Sequence, residues 1–436
     1  MSGAPEIKGR RPGAPEVKGW CPGAYAPMQS NDGLLMRAKI VGSRIAAAQI
    51  EALAEIASAC GNGLIDLSQR AQLQLRGVSE ATLGDALQRL DAAGLLAPDA
   101  DAERVTNIVA APLAGLGVGA FDANALAAEL AQGLQADASL RALPPKFLFA
   151  IDDGGPPPLD DVEADIRIEA AQGDRVAVSL AGGDDRAAVL DPAEAVPAAL
   201  SLARAFVGLR DGAFELRRMR RLVARLGVDA VMNKAEIIAE AYVRPRQAAP
   251  AAFLGAVGTS VCYAGVAAPF GRWTAAELLR LAALAREHGS SELRLTPWRA
   301  FLIPTETREA AQRIVAEAAA RGLIVSSDDP RLAVVACPGA PECPQAQGET
   351  RAHLARLAPL AQKLAGTDGV GLHLSGCAKG CARPKSAPVT LIASNGLFDL
   401  VENGGAGDAA HLKGLTIDAL ESALAARTKE KLCPTP

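Results

Sequence analysis

The sequence predicts an α+β protein built twice over, its two halves related by a pseudo-two-fold duplication. The first observation behind this is an internal repeat. GLIDLSQRAQLQLRGV (63–78) resembles SELRLTPWRAFLIPTE (291–306), with Arg70-Ala71 read against Arg299-Ala300. Gly94-Leu95-Leu96 then matches Gly322-Leu323-Ile324, and VAAPLAG (109–115) matches VACPGAP (335–341). The shift between copies drifts from 229 to 226 (299 less 70, 335 less 109), as small loop insertions would produce. The second observation is that both copies mix short strands with helices in the same order, the pattern of an α+β fold.

Each copy opens on an amphipathic helix. Ile50, Leu53, Ala57 and Cys60 recur at helical spacing, and Leu278, Leu281, Ala282 and Ala285 repeat them. Thr274 and Glu277 stand in capping-box spacing, and Gly289 is expected to take the left-handed conformation that ends a helix. Two short alternating strands follow, 64–67 with 72–75 and 292–295 with 300–303. A second helix ends at Gly94 or Gly322. Strand-rich stretches come next: KFLFAIDDGG and ADIRIEA in the first copy, PVTLIAS and GLFDLVENG in the second. These signals divide the chain at 1–20, 21–95, 96–248, 249–325 and 326–436. The first segment, with tandem GAPEIKGR and GAPEVKGW, is too rich in Gly, Pro and charge to bury a core and is expected to be a flexible tail.

Composition excludes several functions. The 436 residues, half of them hydrophobic, can build several cores. No run reaches the ~18 apolar residues of a membrane span; the nearest, 107–121, is broken by Pro112 and three glycines. No apolar signal region opens the chain, so a cytoplasmic protein with no membrane partner is expected. A net charge of −4 argues against general nucleic-acid affinity. GLGVGA (115–120) lacks the third glycine of a dinucleotide fingerprint at the right spacing, so electrons are expected from a separate reductase.

Four of the eight cysteines fall between 337 and 381, as C-P-G-A-P-E-C (337–343) and G-C-A-K-G-C-A-R-P (376–384). Four thiolates complete a [4Fe–4S] site, and Cys337, Cys343, Cys377 and Cys381 are the expected ligands. Cys377 and Cys381, four apart, would present both sulfurs on one side of a helical turn limited by Pro384. Gly376 and Gly380 would let backbone approach closely, and N–H groups of the Pro338-Gly339 loop would tune the sulfurs. Structural zinc prefers cysteine pairs two to four residues apart, which the five-residue gap of the first pair fits poorly. Cys60, Cys262 and Cys433 read as bystanders, and Cys21 is set apart by Cys21-Pro22-Gly23, an echo of Cys337-Pro338-Gly339.

The cysteine spacing, five residues between the first pair and three between the second, resembles that of the sulfite and nitrite reductases, which bind siroheme and [4Fe–4S]. The resemblance covers nearly all the chain from about Trp20. It implies the nitrite/sulfite reductase fold, with ferredoxin-like half-domains at 21–95 and 249–325 and larger reductase-type domains at 96–248 and 326–436. Within this family, WCPGAYAPMQSNDGLL (20–35), LPPKFLFAIDDGG (143–155), LRLTPWRAFL (293–302) and HLSGCAKGCARP (373–384) are most similar to the precorrin-3B synthases. Ala378-Lys379-Gly380 departs from the Pro-Asn common between the last two cysteines of siroheme reductases.

Carried over residue by residue, Arg70 matches an anion-binding arginine of the siroheme enzymes and Lys146 the first of their active-site lysines. Thr106 stands where the reductases carry a second arginine, and Leu148 where sulfite reductases carry a second lysine. Six-electron reduction of sulfite or nitrite needs that cationic cage. The resemblance therefore implies oxygen-dependent conversion of precorrin-3A to precorrin-3B, a ring hydroxylation with γ-lactone formation. It also implies a mononuclear non-haem iron beside the cluster, for which no compact histidine–carboxylate motif is visible. Siroheme is expected only under the alternative, a sulfite or nitrite reductase. A bare electron carrier would have no use for Arg70 and Lys146.

An acidic tetrapyrrole suits bidentate arginine. Arg70, Arg76, Lys146 and Arg299 are the expected substrate contacts, and Arg70, Lys146, Lys379 and Arg383 the expected catalytic groups. His373, four residues before Cys377, could face the cluster; His288, His353 and His411 read as surface or helix residues. RRMRR (217–221) reads as a solvated helix face.

Overall fold

The computed structural model describes residues 21–432, apart from 184, 246–252 and 259; the expected tail lies outside them. They form two compact units, one holding 21–29 and 33–327, the other 30–32 and 328–432.

The larger unit contains the first copy and most of the second. Helices Ala47–Cys60 and Ala275–His288 pack on each other in one core, in which Ile50, Leu53 and Ala57 join Leu278, Leu281 and Ala285. The expected half-domains thus share their interior. They also exchange a strand. Arg44–Ala46, which leads into the first helix, pairs antiparallel with Glu292–Leu295 of the second copy. Arg272–Thr274, which leads into the second helix, pairs antiparallel with Leu64–Leu67 of the first. Each exchanged strand carries a core residue: Ile45 is 1% exposed and Trp273 0%, the latter edge-on to Phe301 at 5.2 Å.

The hairpins fix the repeat register. Ser68 N–H donates to Gln72 O and Ala71 N–H to Ser68 O; Thr296 N–H donates to Ala300 O and Arg299 N–H to Thr296 O. Ala71 (φ 51°) and Arg299 (φ 64°) take the same left-handed position. The shift is therefore 228 (296 less 68), so Arg299 is the counterpart of Ala71 and not of Arg70.

Thr274 Oγ1 accepts from Glu277 N–H and Glu277 Oε2 from Thr274 N–H, the expected capping box. Gly94 (φ 66°) and Gly322 (φ 75°) are left-handed behind helices Leu83–Ala92 and Arg308–Ala320. Gly289 is not: it is extended, φ −120° and ψ −162°. It is glycine for space, because a Cβ there would lie 2.9 Å from the carbonyl oxygens of Ala285 and Pro304. Its counterpart Gly61 repeats this, with Arg76 O at 2.3 Å from that position.

The strand-rich stretches form two sheets of one topology. Ile108–Ala110, Phe149–Asp152 and Ile166–Ala170 run parallel in that order, and Val176–Leu180 and Arg186–Leu190 continue antiparallel. In the smaller unit Val334–Ala336, Leu372–Ser375 and Ala387–Ser394 run parallel, followed antiparallel by Leu397–Gly404 and Leu412–Leu415. No described helix is long and apolar enough to cross a membrane.

Candidate functional site

In the smaller unit the two cysteine loops leave the same ends of neighbouring parallel strands. Cys337 follows Val334–Ala336 and Cys377 follows Leu372–Ser375, in a register that sets Ala336 beside Leu374. Cys337 N–H donates to Leu374 O at 3.3 Å, and Gly376 N–H donates to the Cys337 sulfur at 3.1 Å. A Cβ on Gly376 would lie 2.9 Å from Ala346 Cβ and 3.4 Å from that sulfur, so only glycine passes between the loops.

The first loop is built from its own backbone. Cys343 N–H donates to Gly339 O at 2.8 Å, Ala340–Pro341 is cis, and Thr350 Oγ1 donates to Cys337 O at 2.6 Å. Residues 30–32 brace it: Ser30 Oγ donates to Glu342 O and Asn31 Nδ2 to Pro341 O. The second loop is a pair of turns and not the helical turn the spacing suggested; Gly380 has φ 62° and accepts from Arg383 N–H.

Burial pushes the Cys337 thiol up, reinforced by Cys343 and Cys377. Burial also pushes up Cys381, opposed by Lys379 and reinforced by the other three cysteines. Four cysteines on two adjoining loops, with a backbone N–H already on the Cys337 sulfur, are a donor set suited to a four-thiolate cluster. Among the described residues no three His, Cys, Asp or Glu side chains converge on a single ion. A cubane spreads its ligands wider than that, because each thiolate binds its own iron.

Arg383 is spent on the loop itself. It pairs with Asp368 at 2.6 Å and donates to Ser386 O from Nε and Nη2, which leaves a clamp where a catalytic cation was expected. Lys379 is exposed. His373 is fully buried under the second loop, its Cε1 3.7 Å from where a Gly380 Cβ would sit. Burial, then Arg383, lowers it to about 4 and keeps it neutral.

The other expected cations, Arg70, Arg76, Lys146 and Arg299, lie in the larger unit, where they separate into two groups. Arg76 is 3% exposed and pairs with Asp66 at 3.2 Å; Arg272 takes the other side of that carboxylate at 2.8 Å. Arg299 donates to Phe270 O at 3.5 Å and also feels Asp66. Arg76, expected as a substrate contact, is instead part of a cross-strand ion pair. RRMRR is corrected too: Met219 is core, Arg218 bonds the buried Asp165, and Arg217 stacks on Phe214 at 3.4 Å.

Arg70 keeps a donor unused. Its Nη2 donates to Lys146 O at 3.2 Å, its buried Nη1 has no hydrogen-bond partner among the described residues, and burial lowers its pKa. Lys146 itself is exposed. Two cations absent from the sequence reading stand near Arg70. Arg37 ends the strand Gly33–Arg37, and Lys39 lies two residues on, the spacing that keeps side chains on one face of an extended chain. With Cys21, Glu103 and Arg104 they line a cavity of about 260 Å³. Glu103 fixes the Cys21-Pro22-Gly23 loop by accepting from Ala24 and Tyr25 N–H. The R-x-K alternation was visible in sequence, but not the loops that would meet it.

Burial, then Arg37, lowers Lys39 to about 7, against an opposing pull from Glu103; Arg70 lowers it further. Lys39 is therefore cationic below about pH 7 and neutral above. Sulfate, whose charge is constant over this range, is expected to bind more tightly below pH 7 and roughly tenfold more weakly by pH 8.5. The bound anion will move the fall upward. Titration at several pH values checks this, and Lys39→Arg should flatten the profile. Without ligand the sign reverses: from about 7 to the unfolded value of 10.5 only the unfolded chain holds the proton, so stability rises with pH.

Comparison with known proteins agrees with this architecture. The family model for the nitrite/sulfite reductase ferredoxin-like half domain matches residues 26–93 and 256–321, one match on each copy of the repeat. A precorrin-3B synthase from Sinorhizobium sp is 32% identical over 87% of this chain and 82% of its own length. A ferredoxin–nitrite reductase from Synechococcus elongatus is 27% identical over 82% of this chain and 76% of its own. The NirA protein of Mycobacterium tuberculosis shares the fold, with a TM-score of 0.70 at 19% identity over 91% of this chain and 81% of that one.

Proposed function

The chain belongs to the nitrite and sulfite reductase family, which includes precorrin-3B synthase, and on that premise we propose that it converts precorrin-3A to precorrin-3B with molecular oxygen. In this reading the chain is a monooxygenase of aerobic cobalamin synthesis, hydroxylating the macrocycle next to ring A, whose acetate then closes a γ-lactone.

The observation that carries the reading is what occupies two cation positions of the reductases. Thr106 is 3% exposed and its hydroxyl donates to Ala102 O at 2.8 Å. Leu148 is 6% exposed in an apolar cluster with Val109, Ala150, Leu159 and Val162. Neither can present charge to a small anion. Arg37, Lys39 and Arg70 remain, and guanidinium forks suit the carboxylate arms of a tetrapyrrole. Held there, the macrocycle would be oriented by several arms at once, the entropic part of the catalysis. Lys39, poised near neutrality, can hold or release a proton at Nζ.

A [4Fe–4S] cluster on Cys337, Cys343, Cys377 and Cys381 would supply single electrons from an external reductase. Among the described residues no three His, Cys, Asp or Glu side chains form a ligand set for a mononuclear iron.

A siroheme-dependent sulfite or nitrite reductase is the second reading, favoured by the reductase relatives and by the cations Arg37 and Lys39 that line the cavity, with Arg70 beside them. Anaerobic purification with optical, iron, sulfide and haem analysis separates the two. Iron and sulfide without extractable haem, and oxygen-dependent gain of one oxygen atom by precorrin-3A, are expected. Stoichiometric siroheme with turnover of sulfite or nitrite would overturn the proposal.

A further inference from the structure

A second cavity, of about 450 Å³, lies in the larger unit away from Arg70 and Arg37. It is placed by strand alternation. Ile166 and Ile168 point into the core shared with helix Pro192–Arg210, so Arg167 and Glu169 point to the other face of their sheet. There they line the cavity with Ser179, Arg220, Tyr242 and Arg244.

The polar groups of this cavity are incompletely partnered. Arg167 and Glu169 are each 6% exposed. Glu169 Oε2 accepts from Arg244 Nε at 2.9 Å and lies 3.9 Å from Arg167 Nε, so one oxygen joins the two guanidiniums. Its Oε1 has no hydrogen bond. Arg167 Nη2 donates to Leu159 O and Val162 O, whereas Nη1 has no hydrogen bond and stands 3.8 Å from Asp152. Among the described residues Arg244 Nη2 has none either, at 3.7 Å from Asp160, and the Tyr242 hydroxyl faces the Glu169 carboxylate. Two guanidinium N–H groups are therefore buried around a single cavity with no hydrogen bond among the described residues, beside a Tyr242 hydroxyl and a Glu169 carboxylate that face each other. Buried polar groups are rarely left so, because each forfeits its hydration.

We propose that this cavity is a subsite for a carboxylate carried on a group that also donates a hydrogen bond. The free N–H groups of Arg167 and Arg244 would take the two carboxylate oxygens, with the Tyr242 hydroxyl as a third donor. Glu169 Oε1 would accept the N–H or O–H of the same ligand. A bare inorganic anion does not match, because Asp152, Asp160 and Glu169 offset the two guanidiniums. A ligand bringing both acceptors and a donor does. An acetate or propionate arm beside a pyrrole N–H has this chemistry, as does a small free hydroxy or amino acid. The first source rests on the tetrapyrrole reading above.

The test uses the full chain as purified, with uroporphyrin III, its octamethyl ester, and malate, a small hydroxy acid, as probes. Arg244 is a quarter exposed, so Arg244→Gln should keep the fold. Uroporphyrin is expected to bind the wild type and its ester not, and Arg244→Gln is expected to weaken uroporphyrin about ten- to a hundredfold at an unchanged urea midpoint. Tyr242→Phe, which deletes only a hydroxyl, serves if that midpoint falls, with a smaller loss expected. Equal uroporphyrin affinity in wild type and variants overturns the subsite and leaves the tetrapyrrole reading standing. No uroporphyrin binding, with malate bound and then lost in Arg244→Gln, sinks the tetrapyrrole reading and keeps the carboxylate subsite. If the wild type binds neither, water fills the cavity and the proposal fails.

Discussion

Replacing Cys377 by serine is expected to abolish the broad visible iron–sulfur band and to drop iron and acid-labile sulfide from about four of each per chain to near zero. Cys377 continues the strand that also positions Gly376, whose N–H donates to the Cys337 sulfur, so one loop would both ligate and tune. Serine is a harder, poorly ionised donor in a site whose burial already disfavours charge, and three thiolates hold such a cluster far less well than four. Cys262→Ser is the control. That cysteine sits on the strand Cys262–Ala267 in the larger unit and should leave iron and sulfide unchanged. A full complement in Cys377→Ser would refute the ligand assignment. Zinc in place of iron and sulfide in the wild type would do the same.

The duplication was legible because it is written in local signals that survive in both copies: a helix with Ile50 or Leu278 inward, a hairpin, and a left-handed glycine at 94 or 322. The strand exchange was not legible. Alternation says that Arg44–Ala46 is extended and that Ile45 is inward, but not that its partner lies some 250 residues along the chain. Gly289 shows the same limit on a smaller scale. A glycine after a helix suggests a left-handed cap, whereas here the Pro304 carbonyl leaves no room for a Cβ. The cysteine set was proposed from spacing, and the structure places its two loops at the same ends of neighbouring parallel strands. The cations could not be read, because a charge has no local signature of its partner: Asp66 claims Arg76, Asp368 claims Arg383, and Arg37 and Lys39 gain meaning only beside Arg70 and Cys21.

Asp165→Ala is expected to cost about 3–5 kcal/mol of stability, read as a lower urea midpoint at an unchanged slope. Asp165 is 0% exposed, and its carboxylate is surrounded by donors. Oδ2 accepts from Leu148 N–H at 2.9 Å, Oδ1 from Met219 N–H at 2.8 Å, and Arg218 Nε reaches both at 2.9 and 3.0 Å. Alanine would leave two buried N–H groups and a half-buried guanidinium without an acceptor. Asp165→Asn keeps one oxygen and should cost less. The loss should also reach the anion site. Asp165 holds Leu148 N–H, and Leu148 is two residues from Lys146, whose carbonyl accepts from Arg70, so the segment that positions Arg70 would shift. Sulfate affinity should therefore fall together with stability in Asp165→Ala, but not in a variant equally destabilised elsewhere, such as Trp273→Phe. A loss below about 1 kcal/mol would mean that solvent reaches these donors as readily as the carboxylate does. Lost stability with sulfate affinity intact would confine Asp165 to holding Arg218 and the segment that begins at Met219.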